Sequence, residues 1–184
     1  SHCSIRPHSP TSWYGATKNP MDKHPLKIYP NKILSQTCKE VDLETELERI
    51  KALSFRFAYN LRKYEGVGIA ANQIGLDKRI FMYLEGNNTR MVINPQLEYL
   101  DDEMTLLSEG CLSIPGMRYF VARHANVRLT GFDLLGSPIV SEPNDFTARI
   151  FQHELDHLNG KLIIDHLDKE KRAEFENLWQ EQAG

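Results

Sequence analysis

Cysteine is scarce in this sequence, positive charge has no excess, and long apolar runs are missing. Each shortage excludes something. The three cysteines, Cys3, Cys38 and Cys111, are odd in number and widely spaced among 184 residues. That pattern does not make a secreted disulfide framework, so a reducing compartment is expected, with Cys111 free to serve as a thiolate. No stretch approaches the roughly 20 apolar residues that a membrane span requires. Twenty-two Lys and Arg against 25 Asp and Glu leave a net charge of −3, which gives no general attraction to nucleic acid or anionic lipid. No basic stripe escapes dilution by acids, so neither a specific nucleic-acid partner nor a membrane is expected.

Acids are also missing from residues 1–20, a stretch with three prolines, four serines and no apolar periodicity. It reads as a flexible arm, an expression remnant or the rest of a targeting segment. Met21 is a natural start for a single domain over 21–184, a length that buries a proper core. With 41% hydrophobic and 26% charged residues, that domain has ordinary globular composition.

Periodicity divides the domain. Leu43, Leu47, Ile50, Phe57 and Leu61 recur at helical spacing, which predicts a helix over about 43–64, capped by Asp42 and ended by Gly66. RIFMYL (79–84) and RMVI (90–93) flank a Gly86-Asn87-Asn88 turn and predict a hairpin, with a separate short strand at 97–100. One or two further strands are expected over 117–133, and another over 138–140. A second helix is expected from Asn144 or Asp145 to Gly160. A third starts at Asp168, with Phe175, Leu178 and Trp179 on one face. Strands cluster between helices instead of alternating with them, so the predicted class is α+β.

Within the second helix lies FQHELDHLNG (151–160). His153 and His157, four residues apart, share a helix face that Phe146 and Ile150 extend and mark as buried. Two imidazoles so placed offer neutral nitrogens to one cation. Glu154 lies about 100° round the helix, a suitable place for a general base. The plain alternative is a pair of core histidines satisfied by hydrogen bonds. One protease group extends this motif with Gly-x-x-His. Gly160 is present here, but Ile163 stands where the last histidine belongs. The third ligand is therefore sought downstream, at Glu170 or Glu174, or upstream at Cys111 in EGCLS (109–113), where a thiolate completes a His₂Cys set.

A third stretch, GVGIAANQIG (66–75), mimics a dinucleotide fingerprint in its Gly66-x-Gly68-x-x-Ala71. A helix precedes it where that reading needs a buried strand. Its glycines instead allow close approach of backbone to a ligand, and the Gln73 amide is a candidate donor to a developing oxyanion.

Together, Gly66-Val67-Gly68-Ile69-Ala70-Ala71-Asn72-Gln73, Glu109-Gly110-Cys111-Leu112-Ser113 and Gln152-His153-Glu154-x-Asp156-His157-Leu158-x-Gly160 resemble the peptide deformylase family, over about residues 24–180. The resemblance implies mixed or antiparallel sheets packed around a central metal-binding helix, with an N-terminal and a C-terminal helix. It implies removal of formyl from the N-terminal formylmethionine of new polypeptides. Cys111, His153 and His157 would hold one divalent metal, Fe(II) in the cell, with Zn, Ni or Co substituting in purified protein. Glu154 would move the proton, and the Gln73 amide and Leu112 backbone N–H would stabilise the oxyanion. Gly68 would hold the peptide as an added strand, and Val67 and Leu112 would wall the methionine. Arg118 is a candidate for the substrate backbone or carboxylate. Asp156 is expected to orient a partner of the ligands. Gly116 departs from the acid that many bacterial members carry there.

The resemblance implies formylmethionyl nascent chains as partners, with transient ribosome contact. A bacterial cytoplasm is expected, and an organelle is the alternative. The motif by itself leaves open a zinc protease of the His-Glu-x-x-His type, or a metal- or peptide-binding module without catalysis.

Overall fold

The computed structural model describes residues 24–183; the expected arm at 1–20 and the Met21 start lie outside them. Among the described residues there are two antiparallel sheets and three α-helices, in agreement with the α+β class. The first sheet has the order β1-β2-β3-β6-β7: β1 (Gly68–Ala70), β2 (Ile80–Glu85), β3 (Asn88–Tyr99), β6 (Val127–Phe132) and β7 (Pro138–Ser141). The second is a hairpin of β4 (Met104–Cys111) and β5 (Ile114–His124). Every ladder between these strands is antiparallel. No helix among the described residues is long and apolar enough to cross a membrane.

Alternation along the strands lets the five-stranded sheet bury two faces. Ile69, Ile80, Met82, Met91 and Ile93 pack with Ile50, Phe57 and Leu61 of α1 (Leu47–Lys63). Ala70, Phe81, Tyr83, Val92 and Leu129 turn the other way, against Ile150, Phe151 and Leu158 of α2 (Asp145–Leu158). Tyr83 meets Phe151 edge-on at 4.9 Å, a geometry that adds about 0.5–1.5 kcal/mol beyond area burial. A third cluster joins the hairpin to α3 (Lys169–Ala183) through Cys111, Ile114, Val121, Phe175 and Trp179.

Several boundaries differ from those expected. Helix α1 starts at Leu47, because the Asp42 side chain accepts from Glu44 N and closes a turn ahead of the helix. It ends at Lys63, and Glu65, at a φ of +54°, turns the chain ahead of Gly66. The expected strand at 97–100 is the continuation of β3, which passes Pro95 through an irregularity between Ile93 and Gln96. Leu178 is 48% exposed, off the buried Phe175–Trp179 face. The start of α2 agrees: Asn144 accepts from Thr147 N as its N-cap.

Tethers fix α2 relative to both sheets. The Gln152 amide exchanges two hydrogen bonds with the backbone of His124 at the end of β5, at 2.9 and 2.8 Å. Arg79 donates to Leu158 O and Asn159 Oδ1, satisfying the carboxyl end of the helix. Gly160 closes against Ser35, whose carbonyl would lie 2.7 Å from any added Cβ.

Candidate metal centre

Three elements converge between the sheets. The β4–β5 hairpin brings Cys111 as the last residue of β4, before the Leu112-Ser113 turn. Helix α2 brings His153 and His157 from the same face. The segment after β1 brings Gln73 on a 3-10 turn, Ala71–Ile74.

Cys111, His153 and His157 are all buried, and their ligand atoms lie within 4.8 Å of one another. Cys111 Sγ is 3.4 Å from His157 Nε2, which is 3.2 Å from His153 Nε2. The hydrogen bond between His153 Nδ1 and Glu109 Oε1, at 2.8 Å, turns Nε2 toward the other two. This donor set fits a divalent cation by type and number. Glu154 Oε1 and Oε2 are buried with no hydrogen-bond partner among the described residues, as expected of a group that awaits a reacting molecule.

Burial shapes the protonation. It pushes the Cys111 thiol far up, with the Glu154 and Glu109 charges adding to the effect, so metal binding there must displace a proton. Burial, reinforced by His153, holds His157 well below the usual imidazole range, in its ligand-competent neutral form. Burial and then the Glu109 charge raise the Glu154 carboxyl well above its ordinary value. Glu109 shows the opposite result. Its own burial raises it, but His153 and the Arg123 guanidinium outweigh that and hold it ionised.

Gln73 is aimed by its neighbours. Its Oε1 accepts from Ala70 N at 2.9 Å, so Nε2 is the end that faces the site. It donates to Ser113 Oγ at 3.1 Å and lies 3.9 Å from Cys111 Sγ. Lys27 N donates to Gln73 O and Tyr29 N to Ser113 O, stitching the two turns side by side. Gly68 is in edge strand β1, where an added Cβ would fall 2.6 Å from Glu154 Oε2. Leu112 is fully buried and packs in the α1-side core, and Val67 is half-buried against the α2-side core. Arg118 is half-buried and donates to Ser108 Oγ and O at 3.2 and 2.9 Å.

One expectation changes. Glu170 and Glu174 are exposed on α3 and do not join the ligand cluster, so Cys111 alone of the three candidates stands beside the histidines. Asp156 pairs with Arg123 Nη1 at 2.6 Å and His166 Nε2 at 2.8 Å, and Arg123 in turn holds Glu109, the partner of His153. The sequence reading missed Arg123, Arg149 and the role of Glu109 as their shared anchor. Glu109 had a signal, its place in the EGCLS stretch; the arginines had none that local pattern could supply.

The sequence pattern of the polypeptide deformylase family matches residues 23–173. Peptide deformylase 1 of Streptomyces avermitilis is 40% identical over 159 residues, covering 82% of this chain and 72% of its own. The Thermotoga maritima peptide deformylase is 34% identical over 147 residues, 80% of this chain and 88% of that protein. The T. maritima crystal structure superposes with a TM-score of 0.74 at 34% identity, over 79% of this chain and 97% of the other. The Ehrlichia chaffeensis peptide deformylase in complex with actinonin gives 0.77 at 29% identity, over 85% and 95%. By pattern, sequence identity and fold, this chain belongs to the polypeptide deformylase family.

Proposed function

We propose that this protein is a metal-dependent hydrolase that removes the formyl group from the N-terminal formylmethionine of newly made polypeptides and releases formate. The observation that carries this reading is the convergence of Cys111, His153 and His157 around one buried point, with the unpartnered Glu154 carboxyl beside it. In this account α2 is the central metal-binding helix of one catalytic domain over 21–184. Cys111 Sγ, His153 Nε2 and His157 Nε2 hold one divalent ion, Fe(II) in the cell, with Zn, Ni or Co substituting in purified protein. The ion supplies Lewis acidity, which elsewhere brings a water's pKa from about 15.7 to about 7.

The chain's own residues do the rest. Glu154 takes the proton of the attacking water and later delivers it to the leaving amine; burial, which raises its carboxyl, favours the protonated form that the second step needs. Gln73 Nε2 and the Leu112 backbone N–H receive the charge that develops on the carbonyl oxygen. Such donors act strongly because they are already fixed when the charge appears. The free edge of β1, at Gly68, aligns the peptide as an added strand, Val67 and Leu112 wall the methionine, and Arg118 meets the substrate backbone or carboxylate. A formyl carbon bears only hydrogen, so a tight site admits it and rejects acetyl.

The substrates are formylmethionyl nascent chains, in a bacterial cytoplasm or in an organelle that starts chains in the same way. Transient ribosome contact through the charged exposed face of α3 belongs to this reading. Incubating the metal-loaded protein with formyl-, acetyl- and free-amine versions of one Met-Ala-Ser peptide tests it. Mass spectrometry should show deformylation of the first alone. Turnover of the acetyl peptide at a comparable rate would sink the size argument, and internal cleavage would point to a protease.

A further inference from the structure

Four residues before His153, and on the same face of α2, lies Arg149. Only 1% of it is exposed. Burying a guanidinium is costly, and a well-packed apolar side chain of similar volume fills a core more cheaply. Arg149 therefore needs a reason beyond filling space, and its contacts supply one. Nη1 donates to Glu109 Oε2 at 2.5 Å and to Val121 O at 2.8 Å. Nη2 donates to Thr105 O and Thr105 Oγ1, both at 2.9 Å. One helical side chain thus grips β4 at Thr105 and Glu109, and β5 at Val121.

The Glu109 end is saturated. Oε1 accepts from Arg123 Nη2 and pairs with His153 Nδ1, while Oε2 accepts from Arg123 Nε and Arg149 Nη1. A carboxylate offers about four acceptor positions, and all are used. Arg123 also holds Asp156, so two guanidinium groups balance two carboxylates in this buried cluster. Without Arg149 one negative charge is uncompensated, and Glu109 is held only by the Arg123 fork and His153, with nothing on Oε2 that ties it to α2.

We propose that Arg149 is a positioning residue for the metal centre. It locks Glu109 against His153 and fastens the hairpin carrying Cys111 to the helix carrying both histidines. The inference rests on the reading that these three residues hold a divalent ion. Its effect is on ligand spacing, so it shows in metal binding without any assay of turnover.

Cobalt titration of the metal-free protein tests it, with affinity measured by competition against a chelator and geometry by the visible Co(II) bands. Wild type is expected to bind one Co(II) per chain with thiolate character. Arg149→Met is expected to weaken binding about 10–100-fold, the range for lost partners of metal ligands, and to shift the bands. Arg149→Lys keeps the charge but cannot span Thr105, Val121 and Glu109 together, so several-fold weakening is expected, between the other two. It also serves as the test if Arg149→Met does not fold. Lowered melting temperature with wild-type affinity and spectrum in the folded variants would mean a merely structural arginine and overturn the proposal. Failure of wild type itself to bind Co(II) would instead defeat the metal-centre reading beneath it.

Discussion

Gly68 lies against Glu154 so closely that a Cβ on the glycine would fall 2.6 Å from Oε2 and 3.0 Å from the carboxyl carbon. The backbone whose glycines the sequence marks for close approach to a ligand therefore first makes room for the chain's own acid. Gly68→Ala should push the Glu154 carboxyl out of place while leaving the three ligands intact. Losing a positioned general base costs about 10²–10⁴-fold, so kcat should fall toward that range with metal content unchanged. Steady-state kinetics with metal analysis on the same sample checks this.

Cys111→Ala removes the one proposed ligand that comes from outside α2. Metal affinity should fall by at least about 100-fold, and the metal-dependent rise in melting temperature should vanish, because that rise follows RT ln(1 + [L]/Kd). Thermal unfolding of both proteins across a metal titration shows it. A variant whose melting temperature still climbs with metal as the wild type's does would exclude Cys111 as a ligand.

Gln73→Ala removes one of the proposed oxyanion donors and leaves the Ala70 N–H without its partner. The first loss should lower kcat about 10²–10³-fold with little change in KM. The second should cost about 1–3 kcal/mol of stability. Kinetics and urea unfolding separate the two effects; a variant with raised KM and normal kcat would place Gln73 in ground-state binding instead.

Away from the site, Glu46 joins the start of α1 to the β1–β2 connection. Its carboxylate pairs with Lys78 and accepts from Asp42 N at 2.7 Å. The Lys78 hydrogen bond, followed by that from the Asp42 backbone, holds the Glu46 carboxyl below its usual value. A depressed carboxyl adds stability above its unfolded pKa of about 4.3 and loses it as pH falls through the folded value. Glu46→Gln should therefore cost about 0.2–1 kcal/mol at pH 7, and the difference from wild type should shrink as pH drops below about 4. Urea midpoints at pH 7, 5 and 3 measure it; a gap that stays constant would remove the ion pair from the account.

The site was more legible in the sequence than the frame that holds it. His153 and His157 share a helix face by spacing alone, and Cys111 and Gln73 stand in short motifs whose chemistry is local. Strand β4 was missed because its pattern is inverted. Leu106 is 64% exposed, whereas Glu109 is fully buried, so period-two reasoning found no core face. Residues 97–100 read as a separate strand, yet β3 bends past Pro95 next to Asn94, whose φ is +51°. Asp42 looked like a helix cap and closes a turn instead. Arg123 and Arg149 carry no local signal, because their burial depends on a carboxylate brought from elsewhere in the fold. Local pattern reports which way a segment faces; it does not report which charges meet inside.

Formate release from formyl-Met-Ala-Ser, by protein stripped of metal and reloaded with Fe(II) without oxygen, tests the central claim most directly. The account predicts one formate per peptide in the reloaded wild type. The stripped protein should release none, and reloaded Glu154→Gln should be slower by about 10²–10⁴-fold despite equal metal content. Absence of formate above background from wild type carrying one metal ion per chain would contradict it.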